Sequence, residues 1–130
     1  MHSQQLLDHF QNPRNVGVLP APAVQVTVEN PACGDVLQLS AILESGVIRE
    51  VRFKVRGCTA AIAAGSALTE LMLGRNAEEL RRLSLDDVEA AVGGLIPESK
   101  HAAVLAMDGV RRLVGVATAK VRDTELKSPL

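Results

Sequence analysis

The sequence predicts an α+β fold: a three-stranded antiparallel β-sheet with helices packed on one face. Three observations carry this. Apolar and polar residues alternate with a period of two between Val24 and Arg56, helical spacing takes over from Ala61 to Val121, and turn chemistry separates the segments. Strands first and helices afterwards is not the order of a parallel α/β sheet. The 130 residues, 47% hydrophobic and 22% charged, predict one domain spanning 1–130. A chain of this length buries roughly two thirds of the surface its unfolded form exposes, so the core needs neither metal nor disulfide. Any metal then belongs to function rather than to folding.

The elements follow in order. Ser3 is placed to cap a short helix that buries Leu6, Leu7 and Phe10 and stops at Pro13. A Pro-rich connector, residues 19–22, leads to the first strand, in which Val24, Val26 and Val28 alternate with Gln25, Thr27 and Glu29. The loop Asn30-Pro31-Ala32-Cys33-Gly34-Asp35 precedes a second strand over residues 36–43, with Leu37, Leu39, Ala41 and Leu43 on one face. Glu44-Ser45-Gly46 supplies hairpin chemistry. In the third strand Val47, Val51, Phe53 and Val55 face the core, while Glu50, Arg52, Lys54 and Arg56 face water; simple alternation puts Arg49 on the apolar side. After Gly57-Cys58, Ala61, Gly65, Leu68 and Met72 form one face of a helix ending near Gly74. Two short helices follow, at residues 77–83 and from a Ser84 cap to Gly93-Gly94. From about Ser99 a long helix aligns Ala103, Ala106, Val110, Leu113, Ala117 and Val121, with a loose tail after Asp123.

Composition excludes several function classes. Fourteen Lys+Arg balance fifteen Asp+Glu, and the aromatic set is two Phe without Trp or Tyr, so neither the basic stripe nor the stacking platform of a nucleic-acid binder is present. No apolar run approaches the ~20 residues of a membrane span. The N-terminus lacks a charged and then apolar leader, which predicts a cytoplasmic protein. Two cysteines, Cys33 and Cys58, are too few for a disulfide framework or a four-thiolate site.

Strand order makes those cysteines neighbours. In a meander, the loop between strands one and two and the exit of strand three lie at one end of the sheet, because the hairpin at Glu44-Ser45-Gly46 occupies the other. Cys58 stands where a strand hands over to a helix, beside unpaired N–H groups and the positive end of the helix dipole, a setting that favours a thiolate. Asp35 follows Cys33 by two positions. Two thiolates, a carboxylate and the imidazole of His101 would compose a tetrahedral site for zinc or iron. Each residue also has a plainer reading: Cys58 as core packing, Asp35 as a turn residue, Cys33 as a loop thiol, His101 as a solvated helix-start residue. His2 and His9 have no partner pattern. A third reading makes Cys58 a nucleophile, His101 its base and Asp35 the orienting group, although no oxyanion-hole motif accompanies them.

Several segments together resemble the IscU/NifU-type iron-sulfur cluster assembly scaffolds, with the NifU N-terminal domain as the type: Asn12-Pro13-Arg14-Asn15-Val16-Gly17, Pro31-Ala32-Cys33-Gly34-Asp35, the stretch from Phe53 through Gly57-Cys58-Thr59-Ala60-Ala61-Ile62-Ala63, and residues 97–108. The resemblance implies a non-enzymatic scaffold on which iron and sulfide are combined into a labile [2Fe-2S] cluster, with zinc as an alternative occupant. It implies a cysteine desulfurase as sulfur donor and apo-proteins as cluster acceptors. Family members carry three cysteines, an aspartate two positions after the first and a histidine before the third. Cys33, Asp35, Cys58 and His101 match, whereas Ala102 stands in place of the third cysteine. Leu95-Ile96-Pro97-Glu98-Ser99 also replaces the Leu-Pro-Pro-Val-Lys segment through which bacterial IscU meets a dedicated Hsp70, which argues against that partner. These departures leave a second implied role, a divergent paralogue that binds a desulfurase or a true scaffold and modulates assembly without holding a cluster.

Overall fold

A computed structural model describes residues 2–127, with side chains described as far as 119. Helix α1 (Gln4–Gln11) leads into strands β1 (Val24–Glu29), β2 (Val36–Glu44) and β3 (Val47–Arg56). Helices α2 (Thr59–Met72), α3 (Ala77–Arg81) and α4 (Leu85–Ala91) follow, and a 3-10 turn at Pro97–Ser99 opens α5 (Lys100–Lys127). The strands form one antiparallel sheet in the order β1-β2-β3, with α2 and α5 laid against it. The architecture is the α+β arrangement that the alternation predicts.

Register explains the core. Val26, Leu39 and Phe53 are directly paired across the three strands, as are Val28, Leu37 and Val55, and Val24, Ala41 and Val51. Residues two apart share a face, so these rows form a continuous apolar surface beneath the helices. Ser45 and Gly46 both adopt positive φ, 54° and 79°, the two-residue turn whose twist suits an antiparallel hairpin. Simple alternation fails at Arg49. Ile42 pairs with Glu50 but Leu43 with Ile48, so β3 carries one extra residue and its inward set shifts by one. Ile48 is therefore buried, Val47 only half-buried, and Arg49 exposed beside Glu44.

Helix α2 departs from a one-faced reading. Ala60, Ala61 and every residue from Ala63 to Thr69 are buried, because α2 contacts β3 as well as α1, α4 and α5. Its small side chains let these layers approach. A Cβ at Gly65 would lie 2.7 Å from the Phe53 ring, and one at Gly109 of α5 would lie 2.7 Å from Leu37. The outer face of the sheet is not wholly wet either, since the connector crosses it and the Leu19 N–H donates to the buried Ser40 hydroxyl at 2.9 Å. The long helix buries Ala103, Ala106, Val110 and Leu113 as its spacing requires, with Ala117 half-buried. The Val121 side chain lies outside the described residues. Helix α5 runs on to Lys127, so the expected loose tail is helical to that point, and residues 128–130 lie outside the described part.

The first helix is capped by Ser3 as expected, but it buries Leu6 and His9 and leaves Leu7 and Phe10 exposed. His9 is thus the polar anchor of α1. Ser66 Oγ accepts the Arg14 N–H at 2.9 Å and is also hydrogen-bonded to His9 Nδ1 at 2.8 Å. His9 Nε2 lies 3.6 Å from Glu70. Asn15 completes the clamp: its side chain donates to Thr69 Oγ1 at 3.0 Å and its carbonyl accepts from the Phe53 N–H at 2.9 Å. Desolvation, aided by the Arg14 charge, lowers the His9 pKa against the opposing pull of Glu70 and Asp8. A histidine whose folded pKa is depressed takes up protons more readily when unfolded, so its contribution is intact above the unfolded value of about 6.5 and is lost as pH falls below it. Chemical unfolding at a series of pH values should show stability declining below that point. The decline should be smaller in His9→Gln.

Candidate functional site

Asn30 shapes the loop between β1 and β2 through three bonds. Its N–H donates to the Asp35 carbonyl at 2.9 Å, its carbonyl accepts from the Gly34 N–H at 2.7 Å, and its side-chain oxygen accepts from the Ala32 N–H at 2.9 Å. The first bond continues the pairing of Glu29 with Val36 by one further pair. The second requires Gly34 at φ 76°, where glycine is free of strain. Asp35 is thereby fixed at the end of the sheet and buried, while Cys33 rides exposed on the loop.

The other donors arrive at the same end. Arg56 pairs with Val36, so β3 delivers Gly57 and Cys58 beside Asp35. Cys58 is the N-cap residue of α2 with an extended backbone, and its side chain makes no cap hydrogen bond. The exposed thiol turns elsewhere: Sγ lies 3.6 Å from His101 Nε2. His101 belongs to the first turn of α5, whose start is tied to α4 by a 2.8 Å ion pair between Lys100 and Glu89.

Three residues, Cys33, Asp35 and His101, bring one donor atom each within 4.8 Å of one another. Cys58 stands just outside this trio but touches its imidazole. Asp35 Oδ2 lies 3.6 Å from His101 Nε2, is buried, and has no hydrogen-bond partner among the described residues. A buried carboxylate oxygen without a partner is costly unless a cation faces it. Metal–donor distances of about 2.0–2.3 Å would put the corners of a tetrahedral site about 3.3–3.8 Å apart. The two 3.6 Å separations from His101 Nε2, the mixed sulfur, nitrogen and oxygen donors, and the orphaned oxygen fit a cation, while the 4.8 Å span of the trio is wider than a closed tetrahedron.

The nucleophilic reading fits less well. A relay needs one imidazole nitrogen for the thiol and the other for the carboxylate. Here Cys58 and Asp35 both face Nε2, which is convergence on a point rather than a chain of proton transfers. The apolar concavity of about 360 Å³ between α3 and α5, lined by Leu80, Arg81, Val114 and Thr118 among others, contains none of the four donors. Ala102 is 1% exposed and offers no donor atom.

Comparison with known proteins identifies the family. The family model of the NifU-like N terminal domain matches residues 1–123. The chain belongs to that family. It is 40% identical over 114 residues to the iron-sulfur cluster assembly scaffold protein IscU 1 of Archaeoglobus fulgidus, covering 88% of this chain and 74% of that relative. It is 38% identical over 133 residues to the scaffold protein IscU of Azotobacter vinelandii, covering 99% and 98%. Among solved structures, the nitrogen-fixing NifU-like protein (N-terminal) of Brucella abortus superposes with a TM-score of 0.61 at 23% identity, covering 97% of this chain and 95% of that one. At that identity it supports the fold alone. No described helix is long and apolar enough to cross a membrane.

Sequence reading did not single out Asn30, although an Asx residue two positions before an N–H is the ordinary signal of such a turn. His9 was also missed, because nothing local to α1 announces Ser66 as its partner. Replacing Asp35 by alanine removes the orphaned carboxylate, so the metal-free protein should gain about 1 kcal/mol of stability. Thermal unfolding in the presence of a chelator measures this directly, and a clear loss of stability would contradict the assignment of that oxygen as unsatisfied.

Proposed function

We propose that this chain is an iron-sulfur cluster assembly scaffold whose Cys33, Asp35, Cys58 and His101 hold iron, zinc or a labile [2Fe-2S] cluster as cargo. The observation that carries the reading is convergence: Cys58 Sγ and Asp35 Oδ2, which has no hydrogen-bond partner among the described residues, each lie 3.6 Å from one imidazole nitrogen, with Cys33 alongside. The IscU relatives, themselves iron-sulfur cluster assembly scaffold proteins, support the scaffold role. In this reading the protein works in the cytoplasm as one domain. It receives sulfur from a cysteine desulfurase and passes the cluster to apo-proteins, without catalysing a reaction of its own. Exposed thiols suit such exchange, because both can be reached by a partner's sulfur or ligand. In this reading the altered segment at residues 95–99 argues against a dedicated Hsp70 as partner.

Ala102 favours a second reading, in which the chain binds a desulfurase or another scaffold and modulates assembly without holding a cluster. The two readings part on metal content. Elemental analysis of purified protein and of anaerobically iron-loaded protein should find about one metal ion per chain under the first reading, reduced in Cys58→Ser and in His101→Ala. Absence of stoichiometric metal from both preparations would sink it. Desulfurase binding that persists after both cysteines become serine would then support the second. After reconstitution with iron, sulfide and desulfurase, Ala102→Cys should retain cluster absorption longer than the parent chain.

A further inference from the structure

Gly57 lies between the end of β3 and the Cys58 cap, and its backbone does not explain why it is glycine. Its φ lies outside the left-handed region, so an L-residue meets no conformational penalty there. Space explains it instead. A Cβ at Gly57 would lie 2.6 Å from Asp35 Cγ, 2.8 Å from Oδ2 and 3.0 Å from Oδ1, and these are its three nearest atoms. Gly65 and Gly109 differ, because their missing Cβ atoms face Phe53 and Leu37 in the core.

We propose that Gly57 is a positioning residue: the space it leaves seats the Asp35 carboxylate and aims Oδ2 at the point shared by His101, Cys33 and Cys58. The inference rests on the metal-site reading above and concerns a residue that itself donates nothing. Asp35 has little other freedom. Its main chain is held by the Asn30 N–H in an extension of the β1–β2 ladder, so the side chain can answer a methyl group at residue 57 only by rotating. Rotation away from Gly57 carries Oδ2 away from His101 Nε2, now 3.6 Å distant. Because the displaced group is the end of a short side chain rather than backbone, the fold persists while a ligand is lost from its place.

Cobalt(II) titration of the full chain, followed through its d–d absorption, tests this in four proteins: the parent, Gly57→Ala, Asp35→Ala and the double variant. Gly57→Ala should weaken cobalt(II) binding about 10- to 100-fold, the usual cost of disturbing a group that orients a ligand, and should alter the absorption band. In the Asp35→Ala background the same change should have no further effect, because no carboxylate remains to be displaced. Unchanged affinity and spectrum in Gly57→Ala, or an equal loss in the Asp35→Ala background, would overturn the inference while leaving the metal site standing. A parent chain that binds no cobalt(II) would overturn both. If Gly57→Ala alone fails to fold, folding of the double variant upholds the clash with Asp35, and its failure to fold refutes it.

Discussion

The hydrogen bond from the Asn30 N–H to the Asp35 carbonyl fixes where everything else at the site can be. It prolongs the β1–β2 ladder past its last strand pair, and the pairing of Val36 with Arg56 brings the exit of β3 to the same end. The Cys33 loop and the Cys58 cap then cannot be far apart. Both major helices also begin there, α2 after Cys58 and α5 one residue before His101. Helix N-termini carry unpaired N–H groups and the positive end of the backbone dipole, so the site gathers a carboxylate and two thiols where negative charge is favoured.

Holding the donors in register requires the helix starts to be fixed relative to the sheet, and packing does this. Glycine in a helix interior costs about 1 kcal/mol relative to alanine. At Gly65 and Gly109 that cost is offset by close approach, since a side chain at either position would collide with Phe53 or Leu37. The alanine-rich surface of α2 lets it contact the sheet, α1, α4 and α5 at once. A core this close-packed transmits displacement instead of absorbing it. The Asn12-to-Gly17 segment extends the same restraint outward, joining α1 to α2 through Ser66 and Thr69 and lying along the free edge of β3 at Phe53.

What could be read from the sequence was whatever depends on local period and chain order. Alternation places all three strands, the Ser45-Gly46 turn closes the hairpin, and meander topology alone brings the Cys33 and Cys58 segments to one end. What could not be read depends on contacts between distant segments. Arg49 on an apolar face was the trace of a β-bulge, visible as an anomaly but not as its cause. The burial of His9 in preference to Phe10 needs Ser66, fifty-seven residues away. Gly57 carries no signal of its own in the sequence, because only the structure shows the Asp35 carboxylate in its empty space. The burial of α2 on several sides likewise follows from its neighbours rather than from its own spacing.

The scaffold reading makes one demand that the geometry meets in an unequal way. A site that only stores a metal is best served by donors that are all buried and rigid, whereas one that must release its cargo needs at least one donor that can leave. Asp35 and His101 are the fixed pair: one is anchored in the ladder and buried, the other is half-buried in the first turn of a 28-residue helix. Cys33 and Cys58 are the exposed pair, and Cys33 sits on a loop closed by Asn30 hydrogen bonds and a glycine turn, not by a packed side chain. Opening that loop breaks local bonds without disturbing the core, which places its free-energy cost at the low end of what the fold permits. The carboxylate left behind keeps Oδ2 buried and without a hydrogen-bond partner among the described residues, which under the scaffold reading favours renewed uptake of a cation.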